Sequence, residues 1–82
     1  MKRKLVWVRW RDACSAYRTI YADEMETYDA LTDVETVGLF VKEDAESLTL
    51  AVDYMPDQGK WRDIIGIPKV NIVKRKVFSF EP

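Results

Sequence analysis

The chain has 82 residues, a size that fits one small domain. Hydrophobic residues make up 48% and charged residues 33%, which is too apolar for a disordered chain and too charged for a membrane protein. Histidine is absent and Cys14 is the single cysteine, which removes the commonest general base, the commonest metal ligand and any intrachain disulfide. A reducing cytoplasm is the expected compartment.

From Lys4 to Asp12 the residues alternate, with Val6, Val8 and Trp10 set against Leu5, Trp7, Arg9 and Arg11. That period of two predicts a first strand with a large aromatic on each face. The apolar stretch behind Lys2-Arg3-Lys4 is broken by Arg9 and Arg11, so neither a signal peptide nor a membrane span is expected.

Between Ala13 and Thr32 the pattern changes. Tyr21, Met25, Tyr28 and Leu31 recur at spacings of three and four, and Asp23 and Glu24 sit where a helix start favours acids. A short helix or a long loop is expected between the first two strands.

Val34 to Glu43 predicts a second strand with Val37, Leu39 and Val41 on its core face and Gly38 as a bend or close approach. A turn at Glu43-Asp44-Ala45-Glu46 leads into Ser47 to Tyr54, where Leu48, Leu50, Val52 and Tyr54 alternate with polar or small residues. Met55 to Lys60 supplies proline, aspartate and glycine for a second reversal before a fourth strand, Trp61 to Ile67. Pro68 ends that strand because it cannot donate a ladder hydrogen bond. Lys69-Val70-Asn71 has the length of one 3₁₀ turn, and Ile72 to Phe80 predicts the fifth strand.

This order predicts a mainly β domain, a small five-stranded SH3-like or Sm-like barrel. The expected core is Val6, Val8, Trp10, Val37, Leu39, Val41, Leu48, Leu50, Val52, Ile65, Ile67 and Ile72.

Trp10, Asp12 and Ala13, then Val37-Gly38, Val41-Lys42-Glu43-Asp44, Ser47-Leu48-Thr49-Leu50-Ala51, Ile67-Pro68-Lys69 and Ile72 resemble a recurring pattern in small phage and prophage proteins of unassigned function. The resemblance covers most of the chain, and its signature residues are structural. It implies a viral accessory product made in the cytoplasm of an infected or lysogenic bacterium. Products of this size often bind a host protein, a nucleic acid or a small signalling nucleotide.

No constellation for catalysis stands out. Cys14 and Ser15 would need an unusual base in a chain without histidine, and nothing in the spacing singles out Asp12 with Asp63. The acidic clusters lack the spacing of a calcium loop, and Gly38, Gly59 and Gly66 stand alone rather than forming a phosphate loop. A non-enzyme without cofactor or metal is therefore expected.

The charge map is uneven. Both terminal segments are basic, whereas the middle is acidic from Asp23 to Asp57 and is relieved only by Lys42. Terminal strands that pair would give the molecule a basic and an acidic side, unless these are ordinary solvated faces. The leading expectation is a binding protein that meets a host bacterial protein through Trp7, Trp61, Tyr21, Asp23, Glu24 or Tyr28. The alternative is a nucleic-acid or nucleotide-binding homo-oligomer, with Arg9, Arg11, Lys74 and Lys76 on phosphates and aromatics stacking on bases. Some of those aromatics must instead fill the core, since half of each barrel strand faces inward.

Overall fold

The computed structural model describes residues 2–13, 22–23 and 31–82. Five strands form one antiparallel sheet: β1 (Arg3–Ala13), β2 (Leu31–Glu43), β3 (Ser47–Met55), β4 (Lys60–Pro68) and β5 (Ile72–Phe80), with a 3₁₀ turn at Lys69–Asn71. Their order across the sheet is β4-β3-β2-β1-β5. The two terminal strands are neighbours, whereas β4 and β5 are the two edges and do not pair with each other. The sheet is not closed into a barrel.

The turns follow from local chemistry. Between β2 and β3, Asp44 Oδ1 accepts the backbone N–H groups of Glu46 and Ser47, each at 2.8 Å. An aspartate that folds its carboxylate onto the following amides mimics a backbone turn. Between β3 and β4, Gly59 takes φ +61°, a left-handed conformation that costs glycine little. Pro68 closes β4, and the 3₁₀ turn behind it docks on the β2–β3 turn: Lys69 N–H donates to Glu46 O at 2.9 Å, and Lys69 Nζ to Asp44 O at 3.0 Å.

One face of the sheet carries the core. Val6, Val8, Trp10, Leu48, Leu50 and Ile67 form a buried cluster, with Val34, Phe40 and Ile72 partly buried against it. The Trp10 indole N–H donates to Thr36 Oγ1 at 3.0 Å, so the one polar atom of this ring is satisfied. At Gly38 on β2 the chain lies close against β3. A Cβ there would lie 3.0 Å from both Leu50 Cβ and Ala51 O. Only a residue without a side chain lets β3 fold over β2 at that distance.

Several expectations about faces are corrected. Val37 is 57% exposed and Val52 64% exposed, Leu39 and Val41 are only half-buried, and Ile65 sits at 37%. The apolar side chains that β2 turns to the core are Val34 and Phe40. The register decides this: Val6 pairs with Gly38 and Val8 with Thr36, so Val37 and Leu39 share the opposite face with Trp7 and Leu5. Beyond Leu39 the register slips between Phe40 and Lys42, a bulge that changes which side chains face inward. Leu31, read as the last residue of a helical stripe, opens β2 instead. Tyr21, Glu24, Met25 and Tyr28, together with Cys14 and Ser15, lie outside the described residues.

Candidate functional site: an apolar groove on the outer face

On the face away from the core, the register aligns side chains in rows across β2, β1 and β5. Glu35, Arg9 and Lys74 share one row, Val37, Trp7 and Lys76 the next, and Leu39, Leu5 and Phe78 the one after. The first row is charged and the others are mostly apolar. Leu5, Trp7, Val37, Lys76 and Phe78 line a groove of about 360 Å³. Its walls are open to water, as Phe78 is 54% exposed and Val37 57%. Apolar side chains that cluster this way on a solvent face mark a contact surface more often than isolated ones do.

Polar contacts fix the groove from one side. The Trp7 indole N–H donates to Glu35 Oε1 at 2.9 Å, which holds the ring across the sheet. Arg9 reaches Asp33 Oδ2 at 3.1 Å, and Arg11 Nε lies 3.5 Å from Asp33 Oδ1. Two of the four cations expected to contact phosphate therefore share one aspartate of their own chain. The other two, Lys74 and Lys76, have no ion-pair partner among the described residues. The groove thus has a basic rim on its β5 side, while the acids on the β2 side are occupied.

A second cleft of about 210 Å³ is lined by Lys2, Arg3, Lys4, Leu39, Phe40, Val41 and Trp61. Trp61 is half-buried there, with its ring centroid 4.5 Å from that of Tyr54. The Arg3 guanidinium lies 4.1 Å from the Tyr54 centroid, and Lys4 Nζ 5.2 Å from that of Phe40. These cations already cover aromatic faces, which leaves less ring surface for a ligand. Arg62 is held by Asp53 through Nε at 2.9 Å and Nη2 at 2.6 Å, and this hydrogen-bonded pair raises the arginine's pKa.

The sequence-predicted residues are therefore distributed. Trp7 and Lys76 meet in the first groove, with Lys74 and Arg9 in the neighbouring row, and Trp61 belongs to the second cleft. Asp23 is exposed in a turn with Ala22. Leu5, Val37 and Phe78 complete the groove and were not singled out as binding residues. Their signal was present in the unbroken apolar run Leu5-Val6-Trp7-Val8, which offers a strand two apolar faces. Asp12 and Asp63 stand on β1 and β4, with β2 and β3 between them in the sheet order.

No helix among the described residues is long and apolar enough to cross a membrane. Comparison with known proteins finds no matching family model, no similar curated protein and no similar solved structure.

Proposed function

We propose that this is a non-enzymatic binding protein, a phage or prophage accessory product that engages a host bacterial protein through the outer-face groove. The observation that carries the reading is the open apolar groove of Leu5, Trp7, Val37 and Phe78 on a sheet whose opposite face already supplies the core. A strand with both faces apolar hides only one of them within its own domain. An aromatic anchor, a bulky aliphatic wall and a charged rim make up the anatomy of an energetic centre in a protein–protein interface. In this reading the sheet is an SH3-like or Sm-like barrel left open between β4 and β5, and the protein works in the bacterial cytoplasm.

The nucleic-acid alternative draws on one favourable observation, Lys76 beside Trp7 and Phe78. Against it, Arg9 and Arg11 spend their charge on Asp33.

Affinity chromatography of a bacterial host extract tests the proposal, run in parallel with the wild-type protein, Phe78→Ala and a control, Val70→Ala, at an exposed site in the 3₁₀ turn. A defined host protein retained by wild type and V70A and lost with F78A supports it. Retention that ignores F78A, or RNA released by added salt in place of a protein, contradicts it.

A further inference from the structure

The groove lies against an open sheet edge. Among the described residues β5 pairs with β1 alone, and its register with β1 runs from Lys74 to Phe80 without interruption. Among the described residues, its other side therefore presents an even row of backbone donors and acceptors with no strand to take them. Phe78 and Lys76, which line the groove, are themselves residues of that edge strand.

The other edge is different. On β4, Asp63 holds φ +55°, so the backbone is kinked in mid-strand, and Arg62 is committed to Asp53. A strand interrupted in this way is a poor template for an added one. A second copy is equally poorly matched to β5, because antiparallel pairing in full overlap would set Lys76 directly opposite Lys76, and like charges facing across a ladder repel. The chemistry that suits β5 is the reverse: an extended backbone, acids opposite Lys74 and Lys76, and an apolar side chain for the groove.

We infer that the edge of β5 takes up an extended acidic peptide segment of the partner as an added strand, with one apolar residue of that segment seated between Leu5, Trp7, Val37 and Phe78. Backbone hydrogen bonds to β5 supply affinity, while the groove and the two lysines set which peptide is accepted. This rests on the groove being the binding surface and goes beyond it, since a partner could fill the groove without touching the strand edge.

The test uses a fluorescein-labelled nonapeptide, Thr-Thr-Phe-Thr-Glu-Thr-Glu-Thr-Thr, whose Phe and two acids share one strand face as Phe78, Lys76 and Lys74 do, and its counterpart with lysine in place of every glutamate. Fluorescence anisotropy should show the acidic peptide binding on the order of tenfold or more tighter than the basic one. The exposed double variant K74E/K76E should reverse that order, and full N-methylation of the acidic peptide should abolish its binding. Amide hydrogen exchange along Lys74–Phe80 should slow when the acidic peptide is added, with no slowing along β4. Equal binding of the two peptides, binding of neither at millimolar concentration, or exchange that slows along β4 instead would overturn the inference. If a host partner nonetheless depends on Phe78, the groove reading survives and strand addition alone fails. A partner indifferent to Phe78 removes the groove reading itself.

Discussion

The carboxylate of Glu43, at the end of β2, is gripped by the guanidinium of Arg75 in the middle of β5, with Nη1 to Oε1 at 2.7 Å and Nη2 to Oε2 at 3.1 Å. In the β1–β2 register, a flat β2 would carry Glu43 roughly 23 Å past Arg75 along the strand direction, at ~3.3 Å per residue. The pair can meet only because β2 leaves β1 after Leu39 and bends at the bulge between Phe40 and Lys42, over the core face of the sheet. Lys69 Nζ joins from the 3₁₀ turn at 2.9 Å. Two cations and one carboxylate thus clamp the folded-over end of the sheet where no ladder closes it. The clamp also spends Arg75, leaving Lys74 and Lys76 as the free cations of β5 among the described residues.

That clamp gives stability a pH dependence. The hydrogen bond from Arg75, and then that from Lys69, lower the Glu43 pKa from 4.5 to about 2. A carboxyl group whose folded pKa is depressed stabilises the fold above its unfolded pKa, and the contribution disappears as pH falls through the folded value. Denaturant titrations should therefore show stability falling between pH 4.5 and about 2. Glu43→Gln should lose about 1 kcal/mol at neutral pH, because solvent screens a pair this exposed, and should flatten that window. A wild-type acid profile superimposable on that of E43Q would mean that the clamp does not form.

Leu50 and Val52 are neighbours of like chemistry on β3, and their burial separates them. Leu50 is fully buried and Val52 is 64% exposed. Leu50→Ala should cost about 2 to 5 kcal/mol and Val52→Ala less than about 0.5, read as the shift in urea midpoint at constant slope. Similar losses at both sites would mean that the core extends along this face of β3 beyond Leu50.

Gly38→Ala should destabilise by about 1 to 3 kcal/mol, the range for a group forced into a packed site. The added methyl would press on Leu50 Cβ and on the Ala51 carbonyl, a backbone atom that cannot swing aside. Thermal unfolding of G38A beside Gly66→Ala checks this, since a Cβ at Gly66 meets nothing within 4 Å.

Phe78→Ala should lower the midpoint of thermal unfolding by only a few degrees, because the ring is more than half exposed. The same substitution should weaken partner binding by about 2 kcal/mol or more, as truncation of an aromatic anchor does. A large loss of stability without loss of binding would make Phe78 a core residue.

Much of this architecture was legible from the residues. Period-two runs placed the first three strands, the Met55–Lys60 reversal and Pro68 bounded β4, β-branched and aromatic content placed β5, and the lengths of the 3₁₀ turn and of β5 agree with the structure. What could not be read was which face of β2 turns inward. Val37, Gly38, Leu39, Phe40 and Val41 are apolar on both faces, so only pairing with β1 and the bulge after Phe40 decide which side chains are buried. The same ambiguity hid the groove, because Val37 reads equally well as core. Charges misled for a related reason: Arg9 and Arg11 look like ligands for an anion until the register brings Asp33 beside them.

Hydrogen exchange of the protein alone and in complex with the host protein it retains would test the central claim most directly. The account predicts slowed exchange concentrated on Leu5–Arg9 of β1, around Val37 of β2 and along Lys74–Phe80 of β5. Slowing confined to the cleft of Lys2–Lys4 and Trp61, or to the segment around Asp23, would contradict it and move the binding surface off the outer face.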